Sequence, residues 1–246
     1  MKPHQEINVL VACEESQAIT CAFRERGFNA FSCDLIVCSG PLPEYHIIDD
    51  AFNVLDGYHG LSWDLLIGHP PCTYLATSGS RWLYHPDDKN LPTQHRRPHP
   101  RFPHRKAQQK EAVEFFIKMM NAPIPHIALE NPVSVLSTQY RQPDCILQPW
   151  QFGHEATKTT CLWLKNLPPL QPTNIVGKGE FYTFKSGKRM SMFSYNAFMD
   201  AKKSKDPSTE RRKIRSKTFP GIAHAIADQY GDFVSQNSQG FRLERY

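Results

Sequence analysis

The sequence lacks the marks of several protein classes. No apolar run approaches the roughly 20 residues needed to span a bilayer, so no membrane attachment is expected. Seven cysteines stand at 13, 21, 33, 38, 72, 145 and 161, with no C-x-x-C among them. An odd count without ligand spacing argues against a disulfide framework and against a zinc site. His99 and His104 lie in a proline-arginine tract too flexible to preform a metal site, and no metal is expected. Met1-Lys2-Pro3-His4-Gln5-Glu6 has no signal-peptide anatomy. A cytoplasmic protein with reduced thiols is the expectation. There is no internal repeat, and no G-x-G-x-x-G follows the first strand.

What is present is a chain of 246 residues, suited to one α/β domain with a modest insert. Its formal charge of +5 is unevenly spread. Gln94 to Lys106 holds five Lys/Arg and no acid, Arg96, Arg97, Arg105 and Lys106 among them. A second basic stretch, Lys185 to Lys217, ends with Arg211, Arg212 and Arg215. A charge run is usually solvated surface. Two such segments on an otherwise balanced chain point to a polyanionic partner.

Ile7–Ala12 reads as a first strand, Ser16 as an N-cap, and Ala18–Arg26 as a helix stopped by Gly27. Phe28–Cys33 and Tyr45–Ile48 are further strands, ending at Asp34 and before Asp49-Asp50. A fourth runs to Ile67. Residues 78–106 read as a mobile loop, Ala107–Asn121 as a helix, Ile127–Glu130 and Thr160–Leu164 as strands. Residues 171–217 read as irregular, Ile222–Val234 as a final helix, and the tail after Ser235 as frayed. Strands alternating with helices predict a doubly wound, mainly parallel sheet, with ligands at the carboxyl ends of the strands.

Most chemistry-bearing residues fall on that rim. Gly68-His69-Pro70-Pro71-Cys72-Thr73 closes the fourth strand, its prolines fixing the backbone before the thiol. Glu130-Asn131-Pro132 closes another. Alone, Cys72 would most often be a small hydrophobe and Glu130 a surface or capping residue. Their joint placement suggests covalent chemistry on a base. A cysteine-hydrolase reading needs a histidine partner, and none sits in a recognisable motif. Glu14, Glu15, Asp34 and Asp50 give the first three strands an acidic rim. A carboxylate ending the second strand suits ribose hydroxyls. Two carboxylates at the first turn repel a pyrophosphate but suit the cationic S-adenosylmethionine, which is therefore favoured over NAD or ATP.

With Pro71-Cys72, Glu130-Asn131 and the acidic rim in this order, residues 7–170 and 211–234 resemble the C5-cytosine DNA methyltransferase family, in particular its short phage- and prophage-type members. The resemblance implies a Rossmann-like methyltransferase fold with a small irregular C-terminal recognition region. It divides the chain into a catalytic core (1–170), a recognition region (171–217), and a returning helix with tail (218–246). It implies Cys72 as nucleophile at cytosine C6, Glu130 as partner of N3 and the exocyclic amine, and Lys158 as a cation near the base. Ser16 and Pro70 join Glu14, Glu15, Asp34 and Asp50 around the cofactor. The basic residues named above would contact duplex DNA, with the target cytosine flipped out. A monomer in a bacterial or phage-infected cell is implied. Three motifs depart from the family. Ala12-Cys13-Glu14-Glu15-Ser16 replaces its Phe-x-Gly-x-Gly, Lys158-Thr159-Thr160-Cys161 only loosely matches its Gln-x-Arg-x-Arg, and Pro220-Gly221-Ile222-Ala223 lacks an asparagine. The alternatives are a C5-pyrimidine transferase acting on RNA or nucleotides, and a nucleic-acid-binding relative without turnover.

Overall fold

The structure, a computed structural model, describes residues 1–237, apart from the side chains at 208 and 212. Its centre is a seven-stranded sheet of β1 (Asn8–Ala12), β2 (Asn29–Asp34), β3 (His46–Ile48), β4 (Leu65–Gly68), β5 (His126–Asn131), β6 (Cys145–Leu147) and β7 (Thr160–Lys165). The spatial order is β3-β2-β1-β4-β5-β7-β6. Pairs from β3 through β5 are parallel, and β7 runs antiparallel to both β5 and β6. The order reverses between β1 and β4. In a doubly wound sheet that reversal opens a crevice at the carboxyl edge.

Strand periodicity assigns the two faces. Val9, Val11, Leu65, Ile67 and Ala128 pack on one side with α1 (Ala18–Glu25) and α7 (Pro220–Asn237). Leu10, Leu66, Ile127 and Leu129 pack on the other with α2 (Ala51–Val54) and α3 (Arg105–Met120). Burial on both faces explains why these strands read as unbroken apolar runs. Arg26 bridges Asp228 and Asp232, tying α1 to α7. Gly68 lies so close to the α3 face that a Cβ there would meet Leu129 Cδ2 at 2.6 Å and Met119 Sδ at 2.9 Å.

Several sequence expectations need correction. The N-cap of α1 is Gln17, at φ 57°, and not Ser16. The buried Glu14 carboxylate caps the helix from a distance, accepting from the Ile19 amide (2.7 Å), the Thr20 amide (3.2 Å) and Thr20 Oγ1 (2.7 Å). Residues 78–106 are not a featureless loop. They contain 3-10 turns at Thr77–Trp82, Pro86–Asn90 and Thr93–His95. Arg97 bridges the covered carboxylate of Asp88 at 2.6 Å, and the buried His99 packs against Trp82 and Phe102. Residues 171–217 are ordered too, as the hairpin β8 (Phe181–Thr183) and β9 (Arg189–Ser191) followed by α5 (Met192–Ala201) and α6 (Pro207–Ser216). Helix α7 continues past Ser235 to Asn237, and the rest of the expected frayed tail lies outside the described residues. No described helix is long and apolar enough to cross a membrane.

Candidate active site

Two turns shape the crevice. After β1, Cys13 (φ 59°) and Gln17 (φ 57°) take the left-handed conformation that a glycine-rich turn would supply without strain. Gln17 is held there from outside. Its side chain donates to Ser32 Oγ (3.0 Å) and Leu42 O (2.7 Å) and accepts from the Leu42 amide (3.0 Å). A left-handed turn therefore stands here without glycine.

After β4, the backbone drops through the buried Pro70 and the exposed Pro71 to Cys72. Asn131 donates to Pro70 O at 2.9 Å. The start of α3 holds the far side of the turn, with Arg105 donating to Thr73 O at 2.8 Å and Gln109 to Tyr74 O at 3.0 Å. The thiol turn is thus clamped from β5 and from α3. Cys72 is open to solvent. Burial and the negative charge of Glu130 push its thiol up, and Lys158 and Arg215 pull it back only in part. The free protein therefore holds it as a thiol.

Glu130, near the end of β5, meets His69 from the end of β4, with Nδ1 to Oε2 at 3.3 Å. Burial by itself would push Glu130 up, but the His69 hydrogen bond, its charge and Lys158 together hold it below the usual carboxylate range. His69 is the counterpart. Burial would push it down, and Glu130 outweighs that, so it stands above its ordinary value. Lys158, half-buried, is pushed down by burial and supported by the charge of Glu130. It is placed by Gln148, whose amide oxygen accepts from the Lys158 backbone (3.2 Å) and whose nitrogen donates to Thr159 Oγ1 (2.8 Å). Lys158 Nζ donates to Lys217 O at 3.2 Å. His69, Glu130, Lys158 and Phe219 line one cleft with about 20 Å³ of free interior, room for one water. Ser216 and Thr218, from the same segment ahead of α7 as Phe219, also line it. Gly221 sets the entry of α7 beneath that segment, where a Cβ would meet Phe152 O at 1.9 Å.

The acidic residues divide. Glu14 is spent on the helix cap. Asp50 caps α2, accepting from the Phe52 amide at 2.9 Å. Asp34 ends β2, flanked by exposed Leu35, Ile36 and Val37. Asp34 and Asp50 both act on Cys13, whose thiol burial and these charges push up to about 12. Glu15 ties the following loop through its carbonyl, which accepts from the Ser39 amide at 3.0 Å, while Ser16 contributes no cap to α1. The turn is anionic and is flanked by exposed apolar surface.

The basic residues divide as well. The charge of Arg215 lowers both the Cys72 thiol and Lys158. Arg105 supports the thiol turn. Arg96 folds onto its own segment, donating to Leu91 O (2.7 Å) and Lys89 O (2.9 Å). Arg97, although paired with Asp88, keeps most of its side chain exposed. Lys106 lies over Tyr84 and Arg211 over Phe198. The Arg212 side chain lies outside the described residues. Sequence reading missed the parts His69, Gln109 and Gln148 play. His69 stood inside the most conspicuous stretch of the chain, but no spacing connects it to a carboxylate 61 positions away.

No protein-family model and no curated protein matches this sequence. Among solved structures, the chain is similar to that of an E. coli protein encoded within a prophage and assigned as a DNA modification methyltransferase, at 12% identity and a TM-score of 0.42. The match covers 70% of this chain and about half, 52%, of that one.

Proposed function

We propose that this protein transfers a methyl group from S-adenosylmethionine to C5 of cytosine in DNA, with Cys72 as covalent nucleophile. One observation carries the reading. Cys72 follows β4 and Glu130 lies near the end of its parallel neighbour β5, and the charge of Glu130 raises the Cys72 thiol while Lys158 and Arg215 lower it. The cofactor would lie on the anionic side, against Asp34, Asp50, Glu15 and the turn from Cys13 to Ser16. Bound there, S-adenosylmethionine supplies an electrophilic methyl group.

Cytosine C5 is a weak nucleophile, and the thiol addresses that weakness. Cys72 Sγ, once deprotonated, bonds to C6. The C5=C6 pair moves to C4=C5 and the C4=N3 pair to N3, which takes a proton. C5 is then electron-rich enough to accept methyl, after which its hydrogen leaves as a proton and the Sγ–C6 bond breaks. Glu130 accepts from the exocyclic amine and lies where charge develops at N3. Since the resting thiol is protonated, its ionisation belongs to the substrate complex. Residues 171–217 and the basic segment 94–106 would hold the duplex.

The test is covalent trapping on DNA containing 5-fluorocytosine, with S-adenosylmethionine present, read on a denaturing gel. Fluorine cannot leave C5 as a proton, so the adduct should persist with wild type and be absent with Cys72→Ala, which still binds DNA. An adduct of equal yield in Cys72→Ala would overturn the assignment of the nucleophile. An adduct formed only on RNA would move the substrate.

A further inference from the structure

The His69–Glu130 pair does more than fill space. His69 Nδ1 faces Glu130 Oε2 at 3.3 Å, while its Nε2 is buried without a hydrogen-bond partner. His69 and Glu130 come from adjacent strands and line the same cleft. A half-buried carboxylate beside an imidazole can share one proton between the two groups. We propose that His69 is the positioning residue of this site, fixing the Glu130 carboxylate and storing the proton that Glu130 delivers to cytosine N3.

The proposal rests on the methyltransferase reading above and specifies one step of it. Cys72 enters as thiolate, its own proton having left to solvent. As Sγ bonds to C6 and electron density reaches N3, the proton moves from His69 Nδ1 to Glu130 Oε2 and from Glu130 to N3. His69 ends neutral, Glu130 ends ionised again, and N3 is protonated. When Sγ leaves C6 the proton returns by the same route. Glu130 alone would serve poorly, because the charges around it keep it ionised and give it no proton to donate. The groups acting on His69 are Glu130 on β5 and Glu14 before α1, which favour its charged form, and Lys158 ahead of β7, which opposes it. Arg215 on α6 acts on Lys158 and Cys72. The step therefore needs His69 protonated, and its rate should fall on the alkaline side as that proton is lost.

The experiment compares single-turnover methylation of duplex DNA across pH for wild type, His69→Asn and Glu130→Gln. Asparagine can still donate to Glu130 but cannot store a proton. His69→Asn should slow methylation about 10²-fold, leave the KM for DNA unchanged, and remove the alkaline decline due to His69. Glu130→Gln should remove the same limb by breaking the relay at its other member. S-adenosylmethionine binding by calorimetry, made by the other side of the rim, verifies that each variant is folded. A His69→Asn protein with the wild-type rate and the wild-type alkaline limb makes His69 a packing residue and overturns the proposal. Wild type that methylates no DNA at any pH overturns instead the reading beneath it, and this step falls with it.

Discussion

Cys13 and Cys72 lie beyond the carboxyl ends of two strands that pair side by side, Cys13 one residue past Ala12 and Cys72 four past the opposite Gly68. The surroundings give the two thiols different settings. Cys13 is half-buried and flanked by Asp34 and Asp50, which with burial push its thiol up to about 12. Cys72 is open to solvent and has Lys158 and Arg215 to set against Glu130. Both thiols are pushed up, and only at Cys72 do nearby cations offset part of that rise. The rim is thereby split into an acidic turn at Cys13 and a turn of mixed charge at Cys72.

Alkylation should expose that split most sharply. At pH 8 a thiol with a pKa of about 12 is ionised to only about 10⁻⁴, so iodoacetamide should label Cys72 long before Cys13, read by peptide mass spectrometry. Lys158→Met removes a cation that favours the thiolate. It should move the Cys72 labelling curve to higher pH and leave Cys13 unlabelled. Equal labelling of both cysteines in the wild type would erase the comparison.

A smaller effect is expected on the acidic side. Asp34→Asn should weaken S-adenosylmethionine binding about tenfold, roughly 1.4 kcal/mol, without changing the labelling rate of Cys72. Unchanged affinity in that variant would place the cofactor elsewhere. Glu14→Ala should act differently from its acidic neighbours, because its carboxylate belongs to the α1 cap. It should cost about 1–2 kcal/mol of stability in urea unfolding and leave the cofactor affinity of the folded protein close to wild type. A tenfold loss of affinity with undiminished stability would return Glu14 to the ligand.

Most of the parallel sheet was legible in the residues. Apolar runs such as Val9–Ala12 and Leu65–Ile67 can be buried on both faces in few other ways, and Cys72 and Glu130 were readable from the strands they follow. The short β6 and α2 were not, since three or four residues carry too little periodicity. The loop at 78–106 was read as mobile because proline, histidine and arginine dominate it. Its order comes from contacts between residues such as Asp88 and Arg97 that local propensity does not register.

By itself, then, the sequence determined a doubly wound, mainly parallel sheet and the approximate place of most of its strands. Tertiary structure alone decided how the residues at its rim are charged and held. His69 meets Glu130 only because β4 and β5 are neighbours. Glu14 turns inward because α1 needs an acceptor at its first amides. Lys158 and Arg215 reach Cys72 from elements far along the chain. Strand formation depends on patterns a few residues long, whereas the charge state of a group depends on whatever the fold brings within a few ångströms of it.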